Sequence, residues 1–140
     1  MILLRDIELQ QPQIQQYEAL LEEAKSEAFF YGIPLNHMAS RQVVIIDDKV
    51  VGCFEFGKVQ YEGRSYHRSN RPYTLRAYRG RGLMLAALIH WYTFRRPAMC
   101  WIDDDNISSI RLFQNVGFRK SDPLVHKDKA GHVYFLTRDV

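Results

Sequence analysis

The stretch "AYRGRGLMLAAL" (residues 77–88) joins a basic, glycine-rich segment to an unbroken apolar run. The apolar run predicts a buried helix from Gly82 to about Phe94, and "YTLRA" (residues 73–77) before it predicts a short strand. A glycine-rich turn between a strand and a helix is typical of an anion site, because the first helical amides have no intrahelical partners. We therefore predict a phosphate at Gly80 and Gly82, although an ordinary tight turn would explain the same residues.

The charge around this stretch is uneven. Residues 63–102 contain eight arginines and no Asp or Glu, so they carry +8 and the rest of the chain carries −5, for a net charge of +3. Arginine presents a planar pair of donors that suits phosphate and carboxylate. We expect Arg79 and Arg81 to bind phosphate oxygens. For Arg95 and Arg96 we prefer a solvated basic face, and between Arg64 and Arg81 an anionic ligand and such a face are equal alternatives.

The composition is that of a globular domain. The 140 residues suit one domain, 1–140, and a hydrophobic fraction of 46% can fill a core. The apolar start is too short for a signal peptide, and no window approaches the ~18 apolar residues of a membrane span, so we expect a cytoplasmic protein. Cys53 and Cys100 lie in apolar runs, which predicts buried, reduced thiols. No Cys/His cluster has zinc spacing, so we expect no metal.

The pattern along the chain predicts the order β-α-β-β-β-α-β-α-β-β. This order indicates an α/β fold, with a mixed central sheet of about seven strands and helices on both faces. The predicted elements are a strand in "MILLRDI", a helix over residues 11–30, a hairpin over 41–59, a loop or ragged strand over 60–72, the strand 73–77, the helix from Gly82, a strand over 97–102, a helix capped by Asn106 and ended by Gly117, and two closing strands around a turn near 128–131.

Two motifs at this spacing resemble those of the GCN5-related N-acetyltransferase (GNAT) superfamily. The first is "YRGRGLM" (residues 78–84), and the second is "NISSIRLFQNVGF" (residues 106–118) after the next helix and strand. That family has an Arg/Gln-x-x-Gly-x-Gly/Ala loop that holds the pyrophosphate of acetyl-CoA. The residues that match the two motifs are Arg79, Gly82 and Met84, and then Asn106, Ser109, Leu112, Phe113, Gly117 and Phe118.

The resemblance implies an acetyl-CoA-dependent N-acetyltransferase that acts on a primary amine. It implies that the pantetheine arm lies between two parallel strands that splay apart, and pairs with backbone near residues 74–76. The residues expected to bind acetyl-CoA are Thr74, Leu75, Arg76, Arg79, Gly80, Arg81, Gly82, Leu83, Met84, Asn106, Ser109 and Phe113. Acceptor contacts are expected from Tyr66, His67 and Arg68, and the protein is expected to be a monomer or a homodimer.

The sequence departs from the family pattern at two positions. Phe113 stands where many members have a tyrosine that protonates the leaving thiolate, so solvent or another tyrosine must supply that proton. The candidate tyrosines are Tyr61, Tyr66, Tyr73 and Tyr134. Met84 stands where the family prefers Gly or Ala. Its side chain either crowds the pyrophosphate or points into the core, with only its amide meeting the phosphate.

Three residues are candidates for the general base, and each has an ordinary structural explanation as well. Glu55 lies between two phenylalanines, where burial would raise its pKa, but it would also pair with an arginine. Asp103 follows a strand that would border the substrate, or it belongs to a solvated lead-in to the next helix. His67 has a suitable unperturbed pKa, or it is a surface residue. We favour Glu55 and Asp103.

Two other functions compete with this hypothesis. A nucleic-acid-directed, base-modifying transferase would use Arg64, Arg68 and Arg71 to track phosphates and nearby tyrosines to stack bases. Some phage-encoded members of the superfamily act in this way. A catalytically silent member that binds a partner would explain both Phe113 and Met84.

Overall fold

The computed structural model describes residues 1–27 and 40–137, and these form one seven-stranded mixed sheet with three α-helices. The predicted α/β fold and order of elements are confirmed. The strands are β1 (Ile2–Arg5), β2 (Arg41–Ile46), β3 (Lys49–Tyr61), β4 (Arg64–Thr74), β5 (Ala98–Asp103), β6 (Arg119–His126) and β7 (Lys129–Leu136), in the sheet order β1-β2-β3-β4-β5-β7-β6. The helices are α1 (Gln13–Ser26), α2 (Leu83–Tyr92) and α3 (Ile107–Val116), and short 3-10 helices cover Asp6–Glu8 and Arg76–Tyr78.

The sheet contains a parallel pair of strands. β4 and β5 run parallel, with His67 opposite Ala98, and the His67 amide donates to the Pro97 carbonyl at 3.0 Å. A parallel pair needs a crossover connection, and α2 supplies it here. The pairs β1–β2, β2–β3, β5–β7 and β6–β7 are antiparallel. The splay of β4 and β5 at their carboxyl ends stays a prediction.

Of the two alternatives for residues 60–72, a loop or a ragged strand extension, the structure shows the strand extension. β3 continues to Tyr61 and β4 begins at Arg64, with Glu62 and Gly63 as a tight turn at φ 48° and 79°. Two central residues with positive φ are typical of a type I′ hairpin turn, whose twist matches that of the two strands it joins. "YTLRA" departs from prediction, because β4 ends at Thr74 and a 3-10 turn follows.

The predicted first helix is shorter than expected within the described residues. It begins at Gln13 after the capping residue Pro12 and ends at Ser26, and residues 28–30 of the prediction lie outside the described part of the chain. Gly117 ends α3 with φ 120°, as predicted for a glycine after a helix. The closing hairpin turns at Lys127 and Asp128, slightly earlier than predicted.

The described chain divides into two compact units. The first comprises residues 1–56 and 69–87, and its core lies between α1 and the sheet. The second comprises residues 57–68 and 88–140. Its core contains the aromatic side chains Trp91, Tyr92, Phe113 and Phe118, which pack edge to face at centroid distances of 4.8–5.4 Å.

Helices cover both faces of the sheet in the first unit. Tyr17, Leu20 and Ala24 of α1 pack on the face that carries Val43 and Cys53, which are paired partners on β2 and β3. The next pair, Val44 and Gly52, points to the opposite face because side chains alternate along a strand. A Cβ on Gly52 would lie 3.2 Å from the Met84 Cε atom, so the first turn of α2 covers that face.

Gly52→Ala should therefore destabilise the protein, whereas Gly57→Ala on the same strand should not. A Cβ at Gly52 would lie 2.8 Å from the Tyr73 carbonyl oxygen, and nothing lies within 4 Å of one at Gly57. Overpacking against backbone costs about 1–3 kcal/mol. Urea denaturation of both variants measures this cost. Equal midpoints for the two variants would show that the close approach at Gly52 is absent.

The two cysteines are buried and free, as predicted. Burial raises the pKa of Cys53 and of Cys100 to about 12, so neither thiol ionises readily near neutral pH. In the ranges that the structure describes, no helix is long and apolar enough to span a bilayer.

Candidate functional site

The turn between β4 and α2 contains the two glycines that we predicted to form a sharp turn before a helix. Gly80 and Gly82 adopt φ of 79° and 69°, a region that favours glycine, so the predicted sharp turn is present. α2 begins at Leu83, and the Ala86 amide donates to the Gly82 carbonyl at 3.0 Å. The backbone amides before Ala86 therefore have no acceptor within the helix. No acidic residue lies in this first turn.

The loop is open on its outer side. Gly80, Arg81 and Gly82 are exposed, and a Cβ on either glycine would meet no atom within 4 Å. The Arg81 guanidinium lies over the Tyr78 ring at 5.4 Å and approaches the Ala77 carbonyl at 3.5 Å. The glycines are therefore required by backbone conformation, and space for a ligand remains beside them.

Met84 does not crowd this loop. Only 8% of its surface is exposed, and its terminal methyl group lies against Gly52 of β3. The side chain points into the core of the first unit, which is the second of the two orientations considered from the sequence. Although Met84 departs from the family pattern, its side chain therefore does not obstruct its own backbone amide in the first turn of α2.

Arg79 is held by an acidic partner on α1. Its Nη2 and Nη1 atoms donate to Glu27 at 2.6 and 3.3 Å, and its Nε donates to the Thr74 carbonyl at 3.0 Å. The guanidinium also lies 5.2 Å from the centre of the Tyr73 ring. The structure thus places Arg79 at the base of the loop. Its expected contact with phosphate oxygens stays a prediction.

Glu27 joins several residues into what we call the Glu27 cluster, namely Glu23, Glu27, Tyr73, Arg76 and Arg79. Arg76 contributes its Nη2 to Glu27 at 3.0 Å and its amide to Glu23 at 3.0 Å. The Tyr73 hydroxyl is hydrogen-bonded to Glu23 at 2.6 Å and also to Glu27. Hydrogen bonds from Arg79, Tyr73 and Arg76 lower the pKa of Glu27 to about 2.

The Glu27 cluster also affects the ability of the Tyr73 hydroxyl to donate a proton. Burial, followed by the two glutamates, raises its pKa above the ordinary value of 10.0, so the hydroxyl is a poor proton donor for a thiolate. The sequence did not reveal this cluster, because its acids and bases lie about 50 residues apart. The spacing of Glu23 and Glu27, which lie one helical turn apart, is a sequence feature that could have indicated this cluster.

The backbone at residues 74–76 is partly engaged within the first unit. The Leu75 amide donates to the Val51 carbonyl at 2.9 Å, and the Thr74 carbonyl accepts from Arg79. Arg76 lies in the 3-10 turn, and its amide is held by Glu23. Pairing of a pantetheine arm with these residues stays a prediction, and it would use carbonyl lone pairs rather than the amides of Leu75 and Arg76.

Asn106 caps α3, as predicted. Its side chain accepts from the Ser109 amide at 3.3 Å and from the Ser108 hydroxyl at 3.3 Å. Asp103, at the end of β5, forms an ion pair with Lys129 at 3.4 Å and accepts from the Asp105 amide at 3.1 Å. Both residues therefore organise the turn into α3, whether or not they also contact a ligand.

Phe113 belongs to the core of the second unit. Its ring is buried and packs edge to face on Phe118 at 5.4 Å. Among the tyrosines considered as its replacement, burial raises the pKa of Tyr61 and of Tyr134. Neither shift favours proton donation to a thiolate, whose ordinary pKa is about 8.5.

Glu55 is half-buried between two arginines. Its Oε2 lies 3.7 Å from Arg41 and 3.7 Å from Arg71. Glu55 therefore forms the pairing with arginine that the sequence analysis gave as its ordinary structural explanation. A role as general base stays a prediction.

The three residues expected to contact the acceptor lie on β4 rather than in a loop. Tyr66 packs against Phe135 at 5.5 Å, and Arg68 is exposed. Burial, together with the nearby charges of Lys58 and Arg95, lowers the pKa of His67 below its ordinary value. The ring packs near Trp91, and the role of His67 as a general base stays a prediction.

Several of the eight arginines in residues 63–102 are bound within the protein, so fewer of them can bind an anion than the charge of this stretch suggested. Arg71, Arg76 and Arg79 are paired with glutamates. Arg95 and Arg96 bind the Trp91 and Tyr92 carbonyls at 3.0 and 3.3 Å, so they close the C-terminus of α2 rather than form a freely solvated face. Arg64, Arg68 and Arg81 are exposed.

A second acid–base pair was not foreseen from the sequence. His132 of β7 lies beside Asp104, which follows β5, with 2.7 Å between Nδ1 and Oδ1. The residues are 28 positions apart, and only the pairing of β5 with β7 brings them together. Within the described ranges, no group of three potential ligands is arranged to hold a metal ion.

Glu27→Gln should reduce the sensitivity of the fold to acid. The folded pKa of Glu27 is lowered from 4.5 to about 2, so its carboxylate contributes stability above the unfolded value. That contribution is lost as the pH falls through this window. The urea midpoint of the wild type should therefore drop more between pH 6 and pH 3 than that of Glu27→Gln. Glu22→Gln, an exposed change on the same helix, should behave like the wild type.

Comparison with solved structures shows extended similarity. A GNAT-family acetyltransferase from Bacillus anthracis matches with a TM-score of 0.68 and 17% identity, over 100% of this chain and 97% of that chain. A GNAT-family acetyltransferase from Streptococcus agalactiae 2603 matches with a TM-score of 0.65 and 16% identity, over 99% and 96%.

A third similar structure contains a ligand. It is described as a streptothricin acetyltransferase from Bacillus anthracis str. Ames in complex with acetyl coenzyme A. It matches with a TM-score of 0.53 and 13% identity, over 72% of this chain and 63% of that chain. No protein-family model matches the sequence, and no curated protein matches it. The order of elements, the mixed sheet and these similarities agree, and the chain has the fold of the GNAT-family acetyltransferases.

Proposed function

We propose that the protein is an acetyl-CoA-dependent N-acetyltransferase that acts on a primary amine. The observation that carries this proposal is the loop before α2. Two glycines with positive φ lead directly into a helix whose first turn has no acidic residue, and Met84 keeps its side chain in the core. A phosphate-bearing ligand is what such a helix start favours, since its amides and dipole both attract anions.

The residues present fit the diphosphate of acetyl-CoA. The amides of Leu83, Met84 and Leu85 would donate to its oxygens, and the exposed Arg81 would neutralise its charge. The Glu27 cluster fixes the base of the loop, so its amides are preorganised and little order is lost on binding. The ligand supplies the acetyl group as a thioester, which an amine attacks.

The chain must then handle two protons. The acceptor amine must lose a proton before attack, and the leaving thiolate must gain one. Glu55 and Asp103 stay as candidates for the first task, although each is held in ion pairs. For the second, solvent is a sufficient donor because a thiol of pKa about 8.5 needs little help.

Calorimetric titration with acetyl-CoA tests binding, and release of CoA tests transfer. The wild type should bind acetyl-CoA and release CoA with at least one amine from a set containing a polyamine, an arylalkylamine, an aminoglycoside and a lysine peptide. Binding without turnover on any of them would favour a catalytically silent member. Absence of binding would overturn the proposal.

The nucleic-acid alternative has lost part of its support. Tyr61 and Tyr66, expected to stack bases, have their rings against Phe135, and Arg71 is paired with Glu55. We therefore do not propose it. A gel shift at two salt concentrations would test it directly, because binding through phosphates weakens steeply with salt.

A further inference from the structure

Glu27 binds three residues of the segment that leads into the loop before α2. Its carboxylate accepts from Arg79 at 2.6 and 3.3 Å and from Arg76 at 3.0 Å, and it is also hydrogen-bonded to the Tyr73 hydroxyl. Gly80, the first glycine of the loop, comes directly after Arg79. Glu27 and the loop belong to the same compact unit, so all of these contacts lie within the first unit.

The guanidinium of Arg79 is already engaged by the chain. Two of its nitrogens donate to the two oxygens of Glu27, a bidentate geometry that fixes the orientation of both planar groups. Its Nε atom donates to the Thr74 carbonyl at 3.0 Å, and the group lies over the Tyr73 ring. Because a carboxylate balances the charge of Arg79, a diphosphate would recruit this side chain only in competition with Glu27.

Arg81, two residues further on, has a different environment. Its guanidinium lies over the Tyr78 ring, and its Nη2 approaches the Ala77 carbonyl at 3.5 Å. Among the residues that the structure describes, no ion pair links Arg81 to a carboxylate. Its charge is therefore available to an anion at the loop, whereas the charge of Arg79 is neutralised in place.

We infer that Glu27 is a positioning residue for acetyl-CoA binding, and that Arg79 acts through Glu27 rather than on the phosphate oxygens. This inference rests on the proposed function. The bidentate pair ties the start of the loop to the end of α1, so Gly80 and Gly82 hold their positive φ before the ligand arrives. A loop that is ordered in advance loses less conformational entropy on binding, which raises its affinity for the ligand. Arg81 supplies the positive charge that meets the diphosphate.

Calorimetric titration of the full chain with acetyl-CoA distinguishes this role from a direct phosphate contact by Arg79. Glu27→Gln removes one of the two acceptor oxygens and turns an amide N–H toward the guanidinium, so it should raise the Kd about tenfold. Arg79→Gln should raise the Kd by a similar factor, and the double variant should exceed either single variant by no more than about twofold. Glu22→Gln, an exposed change on α1, should bind like the wild type.

The salt dependence of the Kd separates the two arginines. The variant with both Glu27→Gln and Arg79→Gln keeps the net charge of the protein, and it should keep the salt dependence of the wild type because neither lost group meets the ligand. Arg81→Gln should raise the Kd at low salt and flatten its salt dependence. A merely structural role of the pair would instead lower the fraction of protein that binds and leave the Kd of the folded fraction unchanged.

The outcomes distinguish this inference from the proposed function. If the wild type binds acetyl-CoA and Glu27→Gln binds it as tightly or more tightly, the positioning role is overturned and the proposed function stands. If the double variant loses the product of the two single factors, or if its salt dependence is flattened, Arg79 contacts the phosphate and the inference is likewise overturned. A reduced binding fraction with an unchanged Kd also overturns it. If the wild type does not bind acetyl-CoA, both claims fail.

Discussion

Gly82→Asp should lower the affinity for acetyl-CoA by at least about 100-fold. Gly82 has φ of 69° and open space around its Cα, so the new side chain fits without a clash, and Asp tolerates this backbone region better than most residues. Its carboxylate would occupy the start of α2, where we place the diphosphate. Like charges brought together cost several kcal/mol, and each 1.4 kcal/mol is tenfold in affinity.

Gly63→Asp is the matched control for this change. Gly63 has φ of 79°, and a Cβ at this position would meet no atom within 4 Å, but the residue lies in the β3–β4 turn. The Gly63→Asp protein should bind acetyl-CoA like the wild type in the same calorimetric titration. A Gly82→Asp protein that binds as tightly as Gly63→Asp would remove the loop from the site.

Met84→Ala should destabilise the protein by about 2–5 kcal/mol and barely change its affinity for acetyl-CoA. The buried side chain fills the space beside Gly52, so truncation removes core contacts and leaves a cavity. The amide that we expect to bind phosphate is unchanged. Denaturation measures the first effect, and titration at a temperature where the variant is folded measures the second.

Met84→Leu is the control, because a substitution of similar volume usually costs less than about 1.5 kcal/mol. If truncation at Met84 leaves stability unchanged but alters affinity more than about tenfold, the side chain faces the ligand and our account of this position is wrong.

The sequence was sufficient to predict the features set by local pattern. The alternation and periodicity of apolar residues predicted the order of strands and helices, and the spacing of Arg79, Gly82 and Asn106 indicated the fold. The cap at Asn106 and the glycine after α3 were predicted because each depends on a few adjacent residues.

Features that depend on distant contacts were not predicted. Strand character over residues 60–72 was only one of two alternatives, because this polar stretch lacks the hydrophobic alternation by which strands are recognised. Glu27 meets Arg79, and Asp104 meets His132, only after the strands pair and the helices pack. The side-chain direction of Met84 likewise depended on a glycine, Gly52, on another strand.

The central claim is that the first turn of α2 binds the diphosphate of acetyl-CoA. Backbone amide NMR during titration of the full chain with acetyl-CoA tests it most directly. We predict saturable shifts at the amides of Gly82, Leu83 and Met84, larger than those at Gly63 in the β3–β4 turn. Binding that saturates while these three amides keep their free positions would contradict the claim, as would the absence of any binding.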